Sequence, residues 1–114
     1  MAMPEEDSAH SFGLQLGDVT IKGFVEMSGL EVGQASEFAV TRVLTGDESL
    51  NALFKAPNPK NGAVIFFDFE GRPVRRYTLT AAKPKSLRLN AVLSGGTSAV
   101  TETLVIAYKK CEIP

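Results

Sequence analysis

Apolar and polar residues alternate along several stretches of this chain, and this alternation restricts the possible folds more than any other feature. Phe12, Leu14 and Leu16 alternate with Ser11, Gly13 and Gln15. A period of two is typical of a β-strand that buries one face. Similar patterns or β-branched runs predict further strands at 19–24, 25–32, 37–43, 63–69, 74–80, 87–93 and 97–111. The chain is therefore expected to be mainly β, an antiparallel β-sandwich or barrel.

One segment has a helical period instead. Leu50, Leu53 and Phe54 fall at i, i+3 and i+4, which places them on one helix face. The sequence from Thr45 to Glu48 fits the S/T-x-x-E capping box, so a single short α-helix is predicted from about Asp47 to Lys55.

Glycine and proline mark the expected interruptions. Gly29 predicts a bulge or a close approach of two backbones within the third strand. Pro57 and Pro59 prevent the helix from continuing, and Pro84 is predicted to end the strand that begins near Val74. Turns are expected at Gly17-Asp18, Glu70-Gly71 and Gly95-Gly96.

The length of 114 residues favours one domain. Residues 1–10 are polar and acidic and are expected to form a flexible N-terminal arm, with a single β domain at 11–114. The start of the chain lacks the basic and apolar regions of a secretory signal. The longest apolar run, Ala63 to Phe67, is far shorter than the roughly 20 residues of a spanning helix, so no membrane anchor is expected.

Few residues suggest chemistry. Cys111 and His10 are the only cysteine and histidine, so neither a disulfide nor a zinc site is expected. Asp68 and Glu70 could act as paired carboxylates, but they flank a turn and are interpreted as solvated turn residues. The sequence therefore predicts no catalytic residue, no cofactor and no metal.

Charge is unevenly distributed although 12 basic residues nearly balance 13 acidic ones. No Asp or Glu occurs between Gly71 and Thr101, where the basic residues are Arg72, Arg75, Arg76, Lys83, Lys85 and Arg88. The basic segment is interpreted as a solvated strand face, as a surface that pairs with acidic parts of other copies, or as a polyanion-binding surface. No aromatic set accompanies the charges, which disfavours nucleic-acid binding.

Five sequence segments, taken in their order and spacing, resemble segments of one protein family. They are Ser28 to Val32, Thr41 to Leu50, Phe67 to Tyr77, Ala82 to Leu87 and Thr101 to Tyr108. Together they resemble the inner tail-tube proteins of contractile-tailed phages and related extracellular contractile injection systems, over roughly residues 11–113.

The resemblance implies a structural subunit rather than an enzyme. Six copies would pool their sheets into a ring with a continuous inner barrel, and rings would stack into a rigid tube that sheath contraction drives through a target envelope. The implied partners are other copies, a sheath protein and a baseplate or initiator protein, with DNA or protein cargo in the lumen. The implied location is the bacterial cytoplasm during assembly and then a phage tail or a released phage-tail-like particle.

The resemblance implies that specific charged residues lie at subunit interfaces or line the lumen. The basic candidates are Arg72, Arg75, Arg76 and Lys85, and the acidic counterparts at the helix start are Asp47 and Glu48. Glu31 and Arg42 are further interface candidates.

The sequence departs from the family pattern at two places. The family commonly has a long β-hairpin before the Thr-Arg strand, often reaching toward a neighbouring ring, whereas only Gly33 to Glu37 stands here. The family also often has tryptophan at the position of Lys83. Alternative readings are a tube-initiator or baseplate-linked paralogue that forms a single ring, a secretion-system tube protein, and a monomeric small β-barrel binding module.

Overall fold

The fold consists of eight strands and one short helix within the described residues of a computed structural model, which are 8–56, 58–90 and 99–114. The elements in chain order are β1 (Ser11–Leu16), β2 (Val19–Ile21), β3 (Phe24–Ser28), β4 (Ser36–Val43), α1 (Ser49–Lys55), β5 (Lys60–Phe67), β6 (Pro73–Leu89), β7 (Thr101–Tyr108) and β8 (Lys110–Glu112). All strand pairs are antiparallel, so the predicted fold class is confirmed.

The long strand β6 belongs to two sheets. Its first half pairs with β5 and β8, which with β1 and β2 form what we call sheet A. Its second half pairs with β7, and β7, β4 and β3 complete sheet B. The change of sheet occurs near Ala81, whose φ of 52° lies in the left-handed region that non-glycine residues rarely adopt.

The core fills the space between the two sheets. Leu14, Val64 and Leu79 contribute from sheet A, and Val40 and Ile106 contribute from sheet B. Leu50 and Leu53 of α1 are also buried, so the helix packs its predicted apolar face into this core. Phe12 of β1 stacks on Phe24 of β3, with ring centroids 5.2 Å apart, where the two sheets meet.

The prediction that Pro84 ends a strand is wrong, because β6 continues through it. Pro84 lies at a register shift between β6 and β7, and among the described strands none pairs with this half of β6 on its other side. Proline is tolerated at bulges and sheet edges because its missing N–H breaks no ladder hydrogen bond there.

The predicted capping box is also wrong. Glu48 is the N-cap residue of α1, and its side chain makes no capping hydrogen bond. Instead Thr45 Oγ1 accepts from the N–H of Asp47, and Asp47 Oδ1 accepts from the N–H of Ser49. An aspartate can accept from a backbone N–H two residues later, so two successive local turns replace the box and the helix begins at Ser49.

Other boundaries differ modestly from the sequence patterns. The strand expected at 25–32 ends at Ser28, because Gly29 (φ 91°) approaches the backbone of Glu37 and Phe38 closely, while the bulge falls between Phe24 and Glu26. The last predicted strand is divided into β7 and β8. The predicted Gly95-Gly96 turn, the strand ends at Leu93 and Thr97, Pro57 and residues 1–7 of the predicted arm lie outside the described residues.

Candidate functional site

Sheet B has two edges that other strands can extend. Its order is β3, β4, β7 and the second half of β6. Within the described residues, no strand pairs with the outer side of β3 or with the side of Lys83 to Leu89 that faces away from β7. Unpaired N–H and C=O groups at such edges are templates for pairing with another chain.

The two edges carry opposite charges. Exposed Glu26 lies on β3, whereas exposed Lys83 and Arg88 lie on the second half of β6. None of these three forms a salt bridge in the part of the chain that the structure describes. Lys85, a predicted interface residue, is already paired, since its Nζ lies 2.7 Å from Glu37 Oε2.

The outer face of sheet B is lined by small and hydroxyl side chains. Phe38, Val40 and Arg42 are buried toward the core, so the alternate residues of β4 face outward. Thr41 Oγ1 lies 2.9 Å from Thr103 Oγ1 on the adjacent strand. The Asn90 side chain donates to Thr101 Oγ1 and Thr103 Oγ1 at 2.6 and 3.1 Å. The hydroxyl groups of this face therefore bond to one another or to Asn90.

The predicted basic cluster does not form a single patch. Arg72 belongs to the β5–β6 turn and forms ion pairs with Asp68 at 3.0 Å and Glu70 at 3.1 Å. Arg75 and Arg76 are adjacent on β6, so their side chains point to opposite faces of the strand. Arg76 donates to Gln15 Oε1 of sheet A at 3.2 Å, and Arg75 donates to the Tyr77 hydroxyl at 3.3 Å.

Asp68 is not the solvated turn residue predicted from the sequence, since only 3% of its side chain is exposed. Its Oδ1 accepts from the N–H groups of Glu70 and Arg72, and its Oδ2 accepts from Arg72 Nε. The hydrogen bond from the Arg72 N–H, followed by the Arg72 side chain, lowers the pKa of Asp68 despite the opposing effect of desolvation. Asp68 therefore organises the turn from within, with both carboxylate oxygens hydrogen-bonded to it.

Arg42, another predicted interface residue, lies inside the subunit, with 5% of its side chain exposed. Its guanidinium contacts Glu102 Oε2 at 3.4 Å, Asp47 Oδ2 at 3.1 Å and the Asp47 carbonyl oxygen at 2.8 Å. It also donates to Ser49 Oγ at 3.2 Å. Arg42 thus ties the start of α1 to sheet B, and its charge is satisfied within the chain.

The acidic candidates differ in their availability. One carboxylate oxygen of Asp47, Oδ2, already forms an ion pair with Arg42. The hydrogen bond from the N–H of Ser49 is the main cause that lowers the pKa of the Asp47 carboxyl. Glu48 is exposed and forms no salt bridge among the described residues. Glu31 accepts from the Gln34 side chain at 3.1 Å, and its backbone is held by the Tyr108 hydroxyl.

An apolar groove of about 500 Å³ opens beside the loop that joins β3 to β4. Its walls are formed by Met27, Leu30 and Val32 on one side and by Phe66, Val74 and Tyr77 on the other. Ala9 and Arg75 complete the lining. The loop is fixed in place because the Gly33 N–H donates to the Cys111 carbonyl oxygen at 2.7 Å and Tyr108 holds Glu31.

Metal ligands and reactive side chains are few among the described residues. No group of three or more His, Cys, Asp or Glu side chains that could hold a metal ion occurs among them. Burial raises the pKa of the Cys111 thiol, which disfavours the reactive thiolate. No helix in the described part of the chain has the length and apolar character needed to cross a membrane.

Sequence analysis did not identify Tyr108 or Glu102 as residues that fix the local structure, and it assigned Asp68 a different role. Tyr108, Glu102 and Asp68 all bond to parts of the chain that are distant or on the other side of a turn. The one available signal was polarity at positions that the strand alternation predicts to be buried. Glu102 is such a position, since Leu104 and Ile106 share its face.

Comparison with known proteins identifies the fold. No family model and no curated protein sequence matches the chain. Among solved structures, the tube-terminating cap of the anti-feeding prophage is similar at a TM-score of 0.80 and 14% identity, covering 100% of this chain and 94% of that one.

Two further solved structures share the fold. A chain of the sheath–tube complex of the extracellular contractile injection system PVC, in its extended state, is similar at a TM-score of 0.77 and 12% identity, covering 91% of this chain and 88% of that one. A chain of the six-fold symmetrised baseplate of the anti-feeding prophage is similar at 0.71 and 16% identity, with coverages of 100% and 97%. The chain therefore has the tail-tube fold of contractile injection systems.

Proposed function

We propose that this chain is a structural subunit of the inner tube of a contractile injection system or phage tail, and that it acts without catalysis. Six copies form a ring, and rings stack into a rigid tube that a contracting sheath drives through a target envelope. The observation that carries this proposal is the pair of open, oppositely charged edges of sheet B. The shared fold with a chain of a sheath–tube complex supports it.

The edges explain how a ring can close. β3 of one copy pairs with the second half of β6 of its neighbour, which joins the sheet B of each copy to the next. The contact joins two different edges, so it is heterologous and closes when successive rotations complete a circle. Glu26 on one edge and Lys83 and Arg88 on the other favour this pairing over β3 with β3 or β6 with β6.

The ring places the outer face of sheet B toward the lumen. Its hydroxyl groups, such as those of Thr41 and Thr103, bond to one another, so this wall offers few free groups that would hold cargo in passage. Lys85 and Glu37 form a surface pair on the same sheet. The proposed contents are DNA or protein cargo, and the other proposed partners are a sheath protein and a baseplate or initiator protein.

The cellular setting follows from the same proposal. Copies assemble in the bacterial cytoplasm and then form part of a phage tail or of a released phage-tail-like particle.

A second candidate is a single ring at one end of a tube, as an initiator, a baseplate-linked protein or a cap. The specific observation in its favour is the similarity to a tube-terminating cap and to a baseplate chain. This candidate uses the same edges to form the ring and differs only in whether rings of this chain stack on one another.

The experiment measures the mass of the purified protein by light scattering, together with negative-stain electron microscopy, over a concentration series. We expect a mass of six copies or more and ring-shaped particles. Rings that never stack favour the single-ring candidate, whereas a monomer at all concentrations contradicts both.

The edge charges are tested by a matched pair of variants. The double substitution Lys83→Glu and Arg88→Glu is expected to lower the ring fraction while the monomer stays folded by circular dichroism. The control Lys22→Glu and Lys55→Glu makes the same change of net charge at exposed positions outside both edges. Equal loss of rings in both pairs would show an effect of net charge and contradict the edge assignment.

A further inference from the structure

Two complementary features lie at opposite ends of β4. The apolar groove is bordered by Leu30 and Val32, in the loop directly before the strand. Val43 and Leu44, both exposed, lie where the strand ends. An antiparallel strand rises about 3.4 Å per residue, so the eight residues of β4 separate the two features by roughly 25 Å.

The groove combines an apolar lining with one positive charge, that of Arg75, which has no acidic partner among residues 8–56, 58–90 and 99–114. Val32 and Val74 are 50% and 41% exposed, so apolar surface remains available at its mouth. Within the described residues Arg75 forms no ion pair, and its guanidinium donates to the neutral Tyr77 hydroxyl. A fitting partner therefore presents an aliphatic side chain with a carboxylate close by.

The opposite end of β4 offers this combination. Leu44 is 42% exposed, and its N–H bonds to the Val100 carbonyl oxygen, which fixes the position of the side chain at the tip of sheet B. Glu48 follows four residues later, exposed and without a salt bridge in the described residues. Its side chain also takes no part in capping α1, so its carboxylate is available to a neighbour.

We propose that Val43 and Leu44 of one copy dock into the groove of a second copy, with Glu48 placed against Arg75. The contact joins unlike ends of the molecule, so a pair of copies leaves one groove and one tip unused, and the contact repeats in one direction. It uses strand ends, whereas the ring contact uses strand edges, so one copy can make both. The inference rests on the proposed function for the arrangement into rings, and it assigns this contact to the joint between stacked rings.

A charge exchange tests the pairing. Arg75→Glu is expected to keep the six-copy mass but to reduce tube length at least tenfold in electron micrographs. Adding Glu48→Lys is expected to restore tubes, because it recreates the pair in reverse. The control combines Arg75→Glu with Asp18→Lys, which gives the same net charge at an exposed turn between β1 and β2. Wild-type stacking by Arg75→Glu, or equal rescue by both second substitutions, would overturn the proposal.

A covalent test does not depend on ring formation. Cys111 is fully buried, so the double substitution Val32→Cys and Leu44→Cys supplies the accessible thiols among the described residues. Mild oxidation is expected to give a ladder of covalent oligomers on a non-reducing gel, and either single substitution is expected to give none. Absence of species larger than a dimer in the double variant would contradict head-to-tail docking.

The two proposals fail in different ways. A ladder formed by a protein that light scattering shows to be monomeric when reduced would contradict the ring and leave the docking contact standing. Rings without a ladder, and without stacking in the wild type, would contradict the docking contact and leave the single-ring candidate.

Discussion

The Tyr108 hydroxyl forms two hydrogen bonds with the backbone of Glu31, donating to its carbonyl oxygen and accepting from its N–H, each at 2.8 Å. One side chain at the end of β7 thereby takes the place of a strand partner for a loop 77 positions earlier in the chain. This arrangement fixes the short connection between β3 and β4, and with it one wall of the groove.

Tyr108→Phe is expected to lower the free energy of unfolding by about 1–3 kcal/mol, because two part-buried hydrogen bonds to the backbone of Glu31 are lost. Urea denaturation measures the loss, and hydrogen exchange of the Glu31 amide reports it locally. Tyr77→Phe is the matched control, since among the described residues the Tyr77 hydroxyl hydrogen-bonds only to exposed Arg75. Similar effects of the two substitutions would contradict the special role of Tyr108.

Arg42→Ala is expected to destabilise the fold by about 3–5 kcal/mol, because it leaves the Glu102 carboxylate buried without a counter-charge. The double substitution Arg42→Met and Glu102→Leu removes both charges and is expected to recover much of that loss. Thermal and urea unfolding of the single and double variants form the test. If the double variant were as unstable as the sum of the two single ones, the coupling of these residues would be disproved.

Asp68 predicts a pH dependence of stability. Its pKa is lower in the folded chain than in the unfolded one, so the ionised carboxylate stabilises the fold above the ordinary carboxyl pKa. That contribution is lost as the pH falls through the lowered value. The stability difference between the wild type and Asp68→Asn is therefore expected to be largest near neutral pH and to shrink as the pH falls below the ordinary carboxyl pKa.

The control for this prediction is Glu70→Gln, which removes a well-exposed ion pair with the same arginine. Exposed pairs contribute little, so this variant is expected to follow the wild type across the pH range. A constant difference between the wild type and Asp68→Asn at all pH values would refute the role assigned to the charge.

Gly62→Ala is expected to destabilise the fold by about 1–3 kcal/mol, as overpacking does in close-packed sites. A Cβ at this position would collide with the carbonyl oxygen of Gln15 on the neighbouring strand, which is backbone and cannot rotate away. Gly46→Ala is the control, because no atom lies within 4 Å of its added Cβ. Calorimetric melting temperatures compare the two, and an unchanged value for Gly62→Ala would contradict the close pairing of β1 and β5.

The sequence was sufficient for the fold class because alternation and helical period depend on local burial alone. It was insufficient at Pro84. A proline interrupts a strand only where a neighbouring strand needs a hydrogen bond from its nitrogen, and the position of the strand within the sheet decides this. The N-cap of α1 was mispredicted for a related reason. Two local turns compete with a capping box, and the contact of Arg42 with Asp47 favours the former.

The candidate site was predicted only in part. Charge segregation along the chain indicated surfaces that pair with other copies, but residues adjacent in sequence separate in space. Arg75 and Arg76 lie on opposite faces of β6, and Arg42 is buried and forms its ion pairs within the subunit. The groove was not predicted, because its two walls come from β3 with the following loop and from the β5–β6 hairpin, which are far apart in sequence.

The continuity of β6 also has a mechanical consequence. A load applied to the edges of sheet B reaches sheet A through covalent backbone at Ala81, and not only through side-chain packing. Separating the two sheets therefore requires breaking the ladders of β6 with β5 or with β7, instead of sliding one layer over the other. Each subunit is consequently expected to resist shear as one stiff body, as the proposed role in a tube that transmits axial thrust would require.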